Sequence, residues 1–374
     1  MPEVPMPAAC PRGRAAVPSF ARSCLATVLA ALLVACSTTP TLPALPPSRF
    51  EPVTVAESFV TESTPEEEID SLALWTAPDG ARWLLATAKR GARVLVYDAL
   101  TGARRGTLAP PPGQEPLLRP NGIAVAGDVA YVVDQQRKRV ELLALPGGER
   151  LGSVGERVLR NPYGIWLHPV EDGVLAYVTD SYRLAGDRMP PPEELGERVR
   201  RFLVQPGPPL SWRHVDSFGA TDHPGLLQTV ESIVGDPAHD RLLIAEEQPE
   251  APSGLRVYRL NGSFTGQTLA AGIYRYQAEG IALLACDDGS GWWVASDQHA
   301  VAQRFHVFDR ASLRWLGAFR GELARDTDGV AYAPGPLPGF PAGLLYAQHD
   351  NRAVVAWDWS AVARALGLPP GCTG

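Results

Sequence analysis

Six phrases in the sequence place a polar side chain directly before Gly or Ser and then run into apolar residues: Asp70-Ser71, Asn121-Gly122, Tyr163-Gly164, Glu231-Ser232, Glu279-Gly280 and Asp328-Gly329. After each, a second apolar run ends in polar groups: Lys89, Asp134, Asp180, Glu246 with Glu247, Asp297 with Gln298, and His349 with Asp350. Carboxylates dominate both sets. Crowded carboxylates repel one another unless a cation lies between them, and hard oxygen donors without thiolate or imidazole clusters suit Ca²⁺ better than zinc. Lys89-Arg90 is the basic exception. A point charge and a bidentate fork beside a bound cation make a seat for an anionic ligand such as phosphate. The competing use of these acids is to cap turns, as Asp before Gly often does. Long side chains such as Glu231, Glu246, Glu247 and Glu279 suit such local capping poorly.

The elements that must position these groups repeat. The six phrases begin 51, 42, 68, 48 and 49 residues apart, and an alternating third strand follows most of the second apolar runs, as in Arg93 to Asp98 and Leu255 to Arg259. A period of about 40 to 50 residues with three or four short strands per unit is the mark of a propeller blade. A two-sheet sandwich does not require one phrase to recur in every sheet. The expected fold is therefore all-β, a six-bladed β-propeller. Its first strands line a central channel and its second strands run antiparallel to them, so all the polar positions above converge on one mouth. Residues 183–200 are a polar insertion within the third blade, with a short helix expected after its three prolines.

Composition agrees. The 374 residues include 36 Gly and 36 Pro, and the formal charge of −7 leaves no basic surface for nucleic acid. Residues 1–35 read as a signal peptide, with three arginines before an apolar run too short for a permanent span. Leu33-Val34-Ala35-Cys36 resembles a lipobox, making Cys36 the lipidation site, and Ser37 favours the outer membrane, facing periplasm or surface. Attachment is by this lipid alone. Residues 36–54 form a Pro- and Thr-rich tether and residues 55–370 the propeller, expected to be a monomer. Within residues 55–66 a short apolar alternation could complete the last blade's outer edge. Cys286 and Cys372 can form one disulfide or remain two thiols.

From residue 66 to about 366 the chain resembles the β-propeller phytases and phytase-like proteins. The resemblance rests on stretches such as Glu66 to Trp75, Ala86 to Arg90, Leu243 to Glu247, Ala278-Glu279-Gly280, Ala295 to Gln298, Asp326 to Gly329 and Phe340 to Leu344. It implies hydrolysis of inositol phosphates by Ca²⁺-activated water, with no covalent nucleophile. Carried over, Asp70, Glu231, Glu246, Glu279, Asp326 and Asp328 hold or adjoin Ca²⁺. Tyr163 and Gln298 lie in the same cleft, Lys89, Arg90 and Arg137 hold phosphate, and the catalytic set is Lys89, Arg90, Tyr163 and Glu231. The chain departs from the family pattern at Ser71, where the best-known members have a second Asp, at Gln277, where they have Asp, and at Asp180-Ser181, where they place Lys. Each departure removes a ligand charge or a phosphate contact.

Two other functions fit parts of the sequence. Arg119 to Val125 with Asp134 resembles the NHL type of repeat, which serves non-enzymatic scaffolds binding protein or glycan. A calcium-dependent lactonase also fits six blades but gives Lys89-Arg90 no task.

Overall fold

A computed structural model describes residues 51–248, 253–269 and 272–372. The signal peptide and Cys36 lie outside these residues. Alternating and apolar runs separated by Gly-containing turns pair into six antiparallel sheets, each with four consecutive strands or their equivalent. The innermost strands are Ile69–Thr76, Pro120–Ala126, Pro162–Val170, Val230–Asp236, Gln277–Ala285 and Val330–Ala333. The fold is a six-bladed β-propeller.

The ring closes with strands from the N-terminal side. Phe59–Val60 pairs antiparallel with Ala353–Asp358 and becomes the outer edge of the sixth blade. Val53–Thr54, the last two residues assigned to the tether, instead pair parallel with Trp315–Arg320 as a fifth strand on the fifth blade. After the helix Trp359–Ala365, the tail returns to the fifth blade, where Cys372 and Cys286 form a disulfide with Cα atoms 5.4 Å apart. The insertion in the third blade contains a single 3-10 turn at Pro192–Glu194.

The repeated phrase has a backbone cause. In five blades the pairing of first and second strands slips by one residue at the same place: between Ile69 and Leu72, Pro120 and Ile123, Pro162 and Ile165, Val230 and Ile233, and Ala278 and Ile281. The bulged pairs are the polar-Gly or polar-Ser dipeptides, and a bulge is a device for re-aiming a side chain. The glycines have a second task. A Cβ at Gly122 would lie 2.4 Å from the carbonyl oxygen of Tyr163, one at Gly164 2.4 Å from that of Glu231, one at Gly280 2.4 Å from that of Asp328, and one at Gly329 2.3 Å from that of Asp70. Each glycine thus lets the next blade's backbone close against it around the axis. Below the mouth the channel is lined by apolar side chains including Leu74, Ile123, Ile165, Trp166 and Val330, and encloses about 300 Å³. Charges at the mouth therefore rest on a low-dielectric floor.

Candidate functional site

Strand register sorts the polar positions into two classes. Pro120 pairs with Asp134, Pro162 with Asp180, Val230 with Glu246 and Ala278 with Asp297. Each of these four acids turns back to accept hydrogen bonds from backbone N–H groups just upstream of its own blade's inner strand. Asp134 accepts from Leu118 at 2.8 Å and Arg119 at 3.2 Å, and Asp180 from Asn161 at 2.6 Å. Asp297 accepts from Tyr276 at 2.8 Å and Arg275 at 3.1 Å. Glu246, expected as a calcium ligand, belongs to this class: its carboxylate accepts from Gln228 at 2.5 Å, Thr229 at 3.1 Å and Gln248 at 3.0 Å and is fully buried. Three backbone donors satisfy it, so it braces the loop. The expectation that long glutamates would not cap is corrected here. One extra methylene reaches the same N–H pair that aspartate reaches in the other blades.

One residue beyond these paired positions, at or just past the end of the second strand, side chains enter the mouth. In register, Ile69 pairs with Ala88, so Lys89 is the counterpart of Glu247 and Gln298. Glu247 is the member that sequence reasoning passed over in favour of Glu246. Aligning the blades on the residue after the paired one, with Lys89 as the guide, would have found it. One carboxylate oxygen from each of Glu231, Glu247 and Glu279 lies within 4.8 Å of the other two. Glu231 and Glu279 are buried and Glu247 is half-buried. Such a set of oxygen donors could hold a metal ion.

The rest of the mouth adjoins this cluster. The Lys89 ammonium pairs with Asp70 and lies 5.6 Å from the centroid of the Tyr163 ring. Gln298 donates its amide to Asp328, and Gln277 donates to Glu247 at 3.3 Å. Asp326 accepts from the Asn351 amide at 3.3 Å and lines, with Gln298 and Tyr276, a cavity of about 480 Å³ at the rim. The structure thus brings together Asp70, Lys89, Tyr163, Glu231, Glu279, Gln298, Asp326 and Asp328.

Two expected phosphate ligands point elsewhere. Arg90 is exposed and pairs with Glu68 at 3.3 Å, with a further donor toward the Pro65 carbonyl. Lys89 occupies the mouth, while Arg90 lies in the turn that follows the strand Arg82–Ala88, where its backbone N–H donates to the Glu67 carbonyl and its side chain faces solvent. Arg137 pairs with Glu115 and donates to the Pro116 carbonyl at 2.9 Å, so its guanidinium is spent on the loop ahead of the second blade.

The electrostatics of the mouth follow from burial and crowding. Burial and the Glu247 charge hold the Glu231 carboxyl well above its usual range, and burial with Glu231 and Glu247 does the same to Glu279. Burial and the facing Asp70 push Asp328 up to about 8. Burial opposes the charge on Lys89, but the adjoining Asp70 carboxylate outweighs it and raises the ammonium's pKa. Glu231 and burial raise the Tyr163 phenol, which keeps its proton and remains a donor. The set is short of positive charge. An oxygen-rich cluster in which Glu231 and Glu279 resist ionisation fits a divalent cation, which would repay the desolvation of those two buried glutamates.

No family model matches the chain, and neither does any curated protein. Among solved structures, a chain in the crystal structure of a nidogen/laminin complex is similar, at 15% identity over 71% of this chain and 86% of the other, with a TM-score of 0.48. Likeness at that level carries no argument, and the architecture stands on the six sheets themselves.

Proposed function

We propose that the protein is a Ca²⁺-dependent phosphomonoesterase of the β-propeller phytase type, acting on inositol phosphates or related phosphoesters. The observation that carries this reading is the mouth itself: three glutamates with oxygens within 4.8 Å, on the same rim as a buried lysine and a protonated tyrosine. Glu231, Glu247 and Glu279 would hold the ion, with Asp70, Asp326 and Asp328 beside them. A bound Ca²⁺ supplies charge for phosphate oxygens and acidifies a coordinated water.

The chain's own residues do the remaining work. Lys89 would stabilise the charge that develops on the phosphoryl oxygens. Its position is held by Asp70, and the Tyr163 hydroxyl, from the third blade, would donate to the same ligand. Gln298 orients Asp328. Acylation of Cys36 would tether this mouth to the cell envelope, at the outer membrane.

The test is release of inorganic phosphate from phytate and from p-nitrophenyl phosphate, in Ca²⁺ and in EGTA, by wild type and Lys89→Ala. Calcium-dependent release that is lost in Lys89→Ala supports the reading. No calcium-dependent release from either ester overturns it and leaves a non-enzymatic binding propeller.

A further inference from the structure

Five of the six repeated polar positions account for their side chains: Asp70, Tyr163, Glu231, Glu279 and Asp328 act on one another electrostatically across the mouth. The sixth is Asn121. It sits in the same register slip of its blade, between Pro120 and Ile123, so the backbone device that aims the other side chains at the axis aims this one too. Its place in the ring is set by Gly122, which abuts the Tyr163 carbonyl of the third blade. Lys89 and Asp70 belong to the first blade, so Asn121 falls between the two blades that Lys89 spans.

Asn121 is fully buried, and neither its amide oxygen nor its amide nitrogen has a hydrogen-bond partner among the described residues. Buried amides are almost always satisfied, because an unmade bond forfeits the water bond given up on burial. Other amides in the molecule differ. Asn161 donates to the Ser181 carbonyl, and Gln348, near the same rim, has an unpaired amide nitrogen but uses its oxygen to accept from the Asp328 N–H, whereas both amide atoms of Asn121 are unpaired. An amide that finds nothing inside the fold, at a position that elsewhere faces the mouth, is placed for a partner that comes through the mouth.

We propose that Asn121 is a ligand-binding residue which, with Lys89 and Tyr163, forms a three-donor seat for the oxygens of a phosphate group on the side of the mouth built by the first three blades. This deepens the phosphoester reading and rests on it. The glutamates of the fourth and fifth blades hold the cation, and the three donors hold the oxyanion. The seat supplies at this rim the donors that Arg90 and Arg137, turned away, do not.

The experiment is calorimetric titration of the purified protein with inorganic phosphate, in Ca²⁺ and in EGTA, and separately with Ca²⁺ alone, for wild type, Asn121→Leu and Asn121→Asp, with melting curves for each. Phosphate affinity is expected to fall about ten- to a hundredfold in Asn121→Leu, the range for one hydrogen bond to a charged group, and at least as far in Asn121→Asp. Calcium affinity of Asn121→Leu should match wild type, and its melting temperature without ligands should be unchanged or higher, since an unsatisfied polar group has been removed. Unchanged phosphate affinity, or a lower melting temperature for Asn121→Leu without ligands, overturns the proposal. The first outcome with phosphate release intact leaves the phosphoesterase reading standing. Phosphate binding that depends on Asn121 in a protein without turnover upholds the seat and defeats the hydrolase, and a wild type that binds no phosphate defeats the seat.

Discussion

Lys89 and Tyr163 face one another across two blades, with the ammonium 5.6 Å from the ring centroid while the same nitrogen pairs with Asp70. One buried cation thus ties the first blade to the third at the rim. Truncating it leaves Asp70 buried beside other acids. In EGTA, Lys89→Ala should lose about 3 kcal/mol of unfolding free energy, as when one partner of a buried pair is removed. The double variant Lys89→Met with Asp70→Asn should recover most of that. Urea unfolding checks both, and a single variant as stable as wild type would show that the pair is not buried as described.

The blade glycines carry a prediction independent of function. Gly122→Ala and Gly329→Ala place a Cβ against the neighbouring blade's carbonyl, at 2.4 Å and 2.3 Å, so each should cost about 1 to 3 kcal/mol, the range for overpacking. Gly207 has nothing within 4 Å, and Gly207→Ala should be neutral or slightly stabilising. Differential melting of the three variants decides it.

Glu279 lies against Glu231 and Glu247, and its charge is resisted by both. Glu279→Gln should therefore raise the melting temperature in EGTA and weaken calcium binding, because the same charge that destabilises the empty cluster attracts the ion. Calcium titration with an unchanged affinity would remove Glu279 from the ligand set.

Asp328 carries a pH prediction. Its pKa stands at about 8 in the folded protein, above the unfolded value, so between about pH 4 and 8 the folded state holds a proton that the unfolded state has released. This contribution to stability is present at low pH and is lost as pH rises toward 8. In EGTA the melting temperature of Asp328→Asn relative to wild type should climb across that window. With calcium present the climb should shrink, since the ion favours the ionised carboxylate. A difference independent of pH would place Asp328 away from the other acids.

Much of the mouth was legible before any coordinates. The polar-Gly phrases marked the inner strands because a bulge needs two residues at a fixed place, and a close backbone approach needs one of them small. Asp70, Lys89, Tyr163, Glu231 and Glu279 could be named on that basis. Glu246 and Glu247 could not be separated, since both are acids at the end of one strand and only the pairing of Val230 with Glu246 shows which of them meets the N–H groups of Gln228 and Thr229. Arg90 and Arg137 were misplaced for a related reason: a charge is visible in a sequence, but its direction depends on the turn it sits in and on partners such as Glu68 and Glu115, which lie 22 residues away in each case.

By itself the sequence determined the number of blades, the order of their strands and the acidic character of one rim, because these follow from periodicity and residue type, which are local properties. The tertiary structure alone decided which carboxylates crowd into a cation-holding cluster and which brace loops. It also decided that Cys286 meets Cys372 and that Asn121 stands buried without a partner among the described residues. Those outcomes depend on register and on closure of the ring, where a shift of one residue turns a side chain from the axis to the backbone.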